Sequence, residues 1–208
     1  TSDPSEGDVR EESVIYGTSP SKEAAARHDV DEYYRLPPDV RKELIDGEFY
    51  DLAAPSVTHQ LLLAELALQF GQCRKTHGVD CVVLFAPCDV QLDRDRYTMV
   101  QPDLLVVCDR KKLGKRVCWG APDLTLEIMS PASRSHDSVR KLHKYKNAGV
   151  REYWIVDPYK ESVTVYDFGS DTFPSHYTFD DTVPVGISAG ACSIDFRRIK
   201  DVLIRQFG

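Results

Sequence analysis

The chain has 208 residues, 42% of them hydrophobic and 28% charged, with a formal net charge of −7. That balance fits a single soluble globular domain and argues against a generic polyanion binder. No apolar run approaches the roughly 20 residues that span a bilayer, and residues 1–30 lack the apolar centre of a secretion signal.

In chain order, the acidic, small and polar stretch TSDPSEGDVREES opens a segment, residues 1–27, expected to be a disordered tail. Residues 28–208 are expected to form one domain. VDEYYRL predicts a short helix stopped by Pro37 and Pro38. KELIDGEFYDLA predicts a β-hairpin turning at Asp46-Gly47. PSVTHQLLLAELALQFGQCRKTHG predicts the longest helix, capped by Ser56 and ended by Gly78. Its apolar stripe is placed on Leu61, Ala64 and Leu68, broadened by Leu62, Leu66 and Phe70.

DCVVLFAPCDVQL gives one or two strands broken at Pro87. PDLLVV and LTLEIM predict strands apolar on both faces, hence covered on both sides. Alternation puts Asp103 with Leu105 and Val107, and Glu127 with Thr125 and Met129. SHDSVRKLHKYKNAGV predicts a helix, and REYWIVDP a strand parallel to the one before it. SVTVYDF adds a hairpin strand, and the C-terminus a short strand and a closing helix. The cysteines Cys73, Cys81, Cys88, Cys108, Cys118 and Cys192 form no C-x-x-C pair. Reduced thiols and a cytoplasmic protein are therefore expected, without structural zinc.

Asp103 and Glu127 stand out, because an ionised carboxylate in an apolar strand costs several kcal/mol, about that order, unless something pairs with it. Three fates are open: one acid is protonated, both pair with Lys or Arg, or both hold a divalent cation. Charge is unevenly distributed: residues 1–55 carry 14 acids against 6 bases, and residues 110–146 carry 10 bases against 3 acids. The loop CDRKKLGKRVCWG supplies Arg110, Lys111, Lys112, Lys115 and Arg116, and the next helix Arg140, Lys141, Lys144 and Lys146. Such cations beside an acidic pair suit a phosphodiester. The plainer account is a solvated loop and a solvated helix face.

The ordered motifs ELIDGE, PSVTHQ, QPDLLVV, LEIMSPASRSHDSVRKLHKYKNAGV and REYWIVDP resemble the Uma-type family of restriction-endonuclease-like proteins, within the PD-(D/E)XK nuclease superfamily. The resemblance spans about residues 28–180. It implies an α/β restriction-endonuclease-like core: a mixed central sheet flanked by helices, with an added N-terminal β-hairpin. It also implies metal-dependent phosphodiester hydrolysis, with Asp103 and Glu127 holding Mg²⁺ or Mn²⁺ and the Ile128 carbonyl as a further ligand. The superfamily's lysine position holds Met129, and the Uma-type pattern places the lysine at Lys141. The spacing of Asp137 and Lys141 alone would equally fit an ordinary i,i+4 ion pair.

Glu43 is a candidate third acid, or else a charged strand end. His59, in the first turn of the long helix, is a candidate contact to phosphate or to a cation's water, or else a half-packed histidine. Tyr145 is placed to orient Lys141 or Glu127. Arg110, Lys111, Lys112, Lys115 and Lys144 are the expected nucleic-acid contacts. No G-x-S-x-G, P-loop or G-x-G-x-x-G occurs, so serine hydrolysis and nucleotide-cofactor chemistry are unsupported. The expected activity is a DNA endonuclease acting as a homodimer, with RNA as an open alternative substrate. The alternative is an inactive nuclease fold that binds nucleic acid or protein, which Met129 favours.

Overall fold

The structure is a computed structural model that describes residues 27–77, 80–130, 137–170 and 172–208. Residues 1–26 of the expected tail, Gly78, Ser133 and His136 lie outside the described residues. Helix α1, Val30–Tyr33, starts in a capping box. Asp29 accepts from the Asp31 and Glu32 amides, and the Glu32 carboxylate accepts from the Asp29 amide. Strands β1, Lys42–Ile45, and β2, Glu48–Asp51, form the expected hairpin. Its two turn residues, Asp46 and Gly47, take φ of 53° and 85°, the left-handed pair that a tight hairpin needs. Main-chain bonds between Leu44 and Met99, at 2.8 and 2.7 Å, fasten the hairpin to the body.

Helix α2, Val57–His77, begins where the Ser56 hydroxyl accepts from the His59 amide. Its buried stripe is Leu62, Leu63, Leu66 and Phe70, whereas Ala64 and Leu68 face out, Leu68 at 57% exposure. The expected centre of the stripe is thus rotated by one residue. Next come β3, Val82–Phe85; β4, Asp89–Gln91; β5, Leu104–Val107; β6, Val117–Trp119; and β7, Leu124–Ile128. Helix α3, Asp137–Ala148, ends at Gly149, whose φ is 91°. It leads into β8, Glu152–Asp157, and β9, Ser162–Asp167. Short strands β10, Ser175–Thr178, β11, Thr182–Pro184, and β12, Ser193–Asp195, precede the closing helix α4, Phe196–Phe207.

Six strands form the main sheet in the order β10-β9-β8-β7-β5-β3. Only β7 and β8, joined by α3, run parallel. Leu104, Val106, Leu124, Leu126, Ile128, Trp154 and Val156 pack against α2 and α4 on one face. Leu105, Val107, Tyr145, Val150 and Tyr153 pack on the face that α3 covers. This two-sided burial is what the unbroken apolar strands predict.

Trp154 is fully buried between Phe70 and Phe196, and its Nε1 donates to Glu152 Oε1 at 2.7 Å. Trp154→Ala should cost about 3–5 kcal/mol, read as a lowered midpoint in urea unfolding.

Cys81 and Cys108 face each other across β3 and β5, one step beyond the Val82–Val107 pair, and form a disulfide. Cys73 on α2 is joined likewise to Cys192, while Cys88 and Cys118 are free. The expectation of six reduced thiols is corrected, because strand register and helix docking bring four of them together. Among the described residues no helix is long and apolar enough to cross a membrane.

Candidate active site

Strands β5 and β7 pair in the register Leu104–Leu126. One step outward, Asp103 stands opposite Glu127, on the sheet face toward α3. Directly opposed residues hold their Cβ atoms about 5 Å apart, so register alone brings the two carboxylates to one place. The Ile128 amide donates to Asp103 Oδ2 at 2.7 Å, and His59 Nε2 lies 3.2 Å from the same oxygen. On the other acid, Tyr145 OH donates to Glu127 Oε1 at 2.7 Å and Lys141 Nζ at 3.1 Å. Lys141 and Tyr145 reach it together because α3 places them four residues apart on one face.

Lys141 is 4% exposed and also pairs with Glu43 Oε2 at 2.9 Å. Glu43, at 1% exposure, accepts the Gln101 amide on its other oxygen at 2.8 Å. Both Glu43 oxygens are thus engaged. Glu43, the candidate third acid, reaches the site buried and paired with the lysine. Its neighbour in the network, Gln101, donates through Nε2 to Asp89 Oδ1 at 2.9 Å and to Tyr33 OH at 3.0 Å. Gln101 was missed in the sequence because an amide beside a proline gives no chemical signal.

Asp103 and Glu127 line a cleft of about 840 Å³. Arg41 and Arg140 line it too, with Tyr50, Met129 and Tyr159. Arg140 stacks on Tyr50 at 4.2 Å. Arg41 was legible in hindsight: it lies two residues before Glu43, on the same strand face. The basic loop is elsewhere. Because β5 and β7 are antiparallel, the loop that joins them leaves from the end opposite Asp103 and Glu127. Arg110 there pairs with Asp80 at 2.6 Å, and Lys112 donates to the Ala121 carbonyl at 2.7 Å. Lys111 and Lys115 are exposed at that same end. Lys144 sits between Asp46 and Asp93, at 2.8 and 2.6 Å, and ties the hairpin turn to the body. Burial opposes its charge, yet the two carboxylates more than offset that and raise its pKa. None of these five lines the cleft.

Burial pushes the Glu127 carboxyl up to about 8, helped by the negative charges of Asp103 and Glu43 and opposed by Lys141 and Tyr145. Tyr145 is raised well above its usual value, first by burial and then by Glu127. A carboxyl raised in the fold binds a proton that the unfolded chain releases. Stability of the metal-free protein should therefore fall as pH rises between about 4.5 and 8, by on the order of a few kcal/mol in total. Urea midpoints in EDTA across that window test this, and Glu127→Gln should flatten the slope.

Among the described residues no three His, Cys, Asp or Glu side chains gather as a metal cluster. The two carboxylates nevertheless fit a magnesium-type ion, which takes one or two carboxylates and keeps waters. Each has one oxygen filled by protein donors. The other, Asp103 Oδ1 and Glu127 Oε2, receives no hydrogen bond or ion pair from the described residues. The donors are hard oxygens, and the Ile128 carbonyl is one residue away.

A mixed sheet with opposed acids at its strand ends, backed by a lysine on the crossover helix, has the form of a nuclease-like α/β fold. The chain belongs to the Uma2 family, described as "Putative restriction endonuclease", which matches residues 30–185. A crystal structure from Anabaena variabilis, titled a putative nuclease belonging to DUF820, superposes with a TM-score of 0.67 at 22% identity. The match covers 82% of this chain and 96% of that one. An "Uncharacterized protein slr1290" of Synechocystis is 25% identical over 133 residues, 63% of this chain and 68% of that protein.

Proposed function

We propose that this protein is a divalent-cation-dependent endonuclease that hydrolyses phosphodiester bonds in DNA. Asp103 and Glu127 hold Mg²⁺ or Mn²⁺, with the Ile128 carbonyl as a further oxygen ligand. The ion, when bound, supplies an acidified water and Lewis-acid relief of charge on the phosphate. The chain's own groups do the rest. His59 and the Ile128 amide fix Asp103, and Tyr145 fixes Glu127. Lys141, paired with Glu43 and Glu127, presents its ammonium where the phosphoryl group gains negative charge. In this way Lys141 stands in for the lysine that Met129 displaces.

The observation that carries this reading is the opposed pair with one filled and one open oxygen on each acid. The test is cleavage of duplex DNA, single-stranded DNA and RNA while Mg²⁺ or Mn²⁺ is titrated. Cleavage should need the ion and should disappear in Asp103→Ala. Cleavage that persists in that variant removes the assignment. Met129 favours one other reading, an inactive nuclease fold that binds nucleic acid; it predicts binding with no cleavage at any metal concentration. The homodimer expected of a duplex-cutting enzyme is checked by sedimentation equilibrium.

A further inference from the structure

We infer that Arg140 and Arg41 grip phosphates beside the one that is cut, so that the substrate is a strand of consecutive phosphodiesters and not an isolated diester. The inference rests on the nuclease reading above and adds how its substrate is held. It begins at the hairpin, where β1 and β2 pair Glu43 with Tyr50. Directly opposed residues share a face, with their Cβ atoms about 5 Å apart. Helix α3 docks two consecutive residues on that pair. The Lys141 ammonium lies 2.9 Å from Glu43 Oε2, and the Arg140 guanidinium lies 4.2 Å from the centre of the Tyr50 ring. Consecutive residues point about 100° apart around a helix, so the two cations diverge. Lys141 meets Glu127 and faces the opposed acids, whereas Arg140 lies over β2, one residue pair to the side.

Both arginines line the cleft, Arg41 exposed and Arg140 half-buried. Both are also held in place by the fold. The ring under Arg140 is fixed in turn, because the Tyr50 hydroxyl donates to Glu48 Oε2 at 2.5 Å. A guanidinium over an aromatic face keeps its in-plane N–H groups at its edge, where a phosphate can accept two of them side by side. Arg41 lies two residues before Glu43, on the same strand face. Its Nη2 donates to Gln101 Oε1 at 3.3 Å, and Gln101 Nε2 is itself bonded to Asp89 and Tyr33. That bond uses one N–H of a fork that carries several. Asp51, which also lines the cleft, is paired with Lys42 at 2.6 Å.

The ligand chemistry follows from the neighbours. With a phosphoryl group at the opposed acids, the anions next to it along a strand are its own adjacent phosphates. A guanidinium is the side chain whose shape matches them. Such contacts position the strand without reading its bases.

The test pairs binding with hydrolysis. Binding is read by fluorescence anisotropy with Ca²⁺ in place of Mg²⁺, on a labelled DNA strand, single or annealed, whichever the parent holds tighter. Hydrolysis with Mg²⁺ or Mn²⁺ is read on the same DNA and on bis(p-nitrophenyl) phosphate, which has one diester and no neighbour. Arg140→Ala and Arg41→Ala should each weaken DNA binding about tenfold. Each should also reduce the logarithmic salt slope by about 0.7 on a single strand or about 0.9 on a duplex. The loss on DNA should appear mainly in KM and exceed the loss on the small diester by about tenfold. Tyr50→Phe should retain more of the affinity than Tyr50→Leu, which removes the ring. An unchanged salt slope in either arginine variant overturns the inference. So does an equal fall on both substrates, which would place the arginines at the cut phosphate or in the fold. If the parent cuts only DNA, the slope and the KM decide. If the slopes fall as expected but the parent cuts neither substrate, the grip stands and the nuclease reading fails. DNA that is neither bound nor cut ends both.

Discussion

Glu127→Gln is expected to reduce metal-dependent cleavage by two to three orders of magnitude, about what removal of one preorganised charged group costs. The metal-free protein should be no less stable than the parent. The amide keeps the shape of the carboxyl, and its oxygen can still accept from Lys141 and Tyr145. It cannot offer a charged oxygen to an ion. Burial lifts the Glu127 carboxyl to about 8 in the parent fold, and glutamine resembles its neutral form. A cation that binds the ionised carboxylate must expel the proton, so Mn²⁺ binding should release protons in the parent and not in the variant. Calorimetry in two buffers of different ionisation enthalpy measures that release. Equal proton release in both proteins would show that Glu127 is not a ligand.

The second large effect concerns Lys141→Met. Glu43 is 1% exposed, and its charge partner is Lys141. Removing one partner of a buried ion pair leaves an uncompensated charge, which costs about 3–5 kcal/mol. Urea unfolding at pH 7 should show that loss. Adding Glu43→Gln to Lys141→Met should recover much of it, a coupling on the order of 1–3 kcal/mol. Cleavage should not return with stability, because the positive charge facing the phosphate is still missing. A Lys141→Met protein as stable as the parent would mean that Glu43 is protonated or solvated in the fold, and the role given to the lysine would go with it.

Much of this site was legible in the sequence, for reasons that differ by residue. Asp103 and Glu127 were found because a strand has a period of two, and a lone acid in an apolar run breaks it. Their facing each other needed the register, which pairing fixes and sequence does not print. Lys141 was found through the resemblance to the Uma-type pattern, since its spacing from Asp137 alone would equally fit an ordinary ion pair. His59 followed from its place in the first turn after Ser56. The basic loop lies away from the cleft for a topological reason. Residues 110–116 are near both acids along the chain, but an antiparallel pair sends its connecting loop to the opposite end of the strands. Arg41 and Arg140 sit at the cleft because they flank Glu43 and Lys141 on their own elements. The disulfides were unreadable from spacing, since Cys81–Cys108 depends on register and Cys73–Cys192 on how α2 docks against the C-terminal segment. On α2 the choice between two overlapping leucine stripes was settled by the sheet it packs on, and periodicity alone could not decide it.

The hairpin that carries Glu43 is fastened to the body at Leu44–Met99 and by the bridge from Lys144 to Asp46. A shortened protein starting at Pro55 would retain every strand of the large sheet, both opposed acids and the ammonium on α3. It would nevertheless be electrically incomplete, because one of the two carboxyl groups that meet the ammonium comes from the discarded ribbon. The charge arrangement around the candidate site is therefore a property of two separate stretches of chain clasped together, and trimming to the sheet would leave the ammonium with one carboxyl partner fewer.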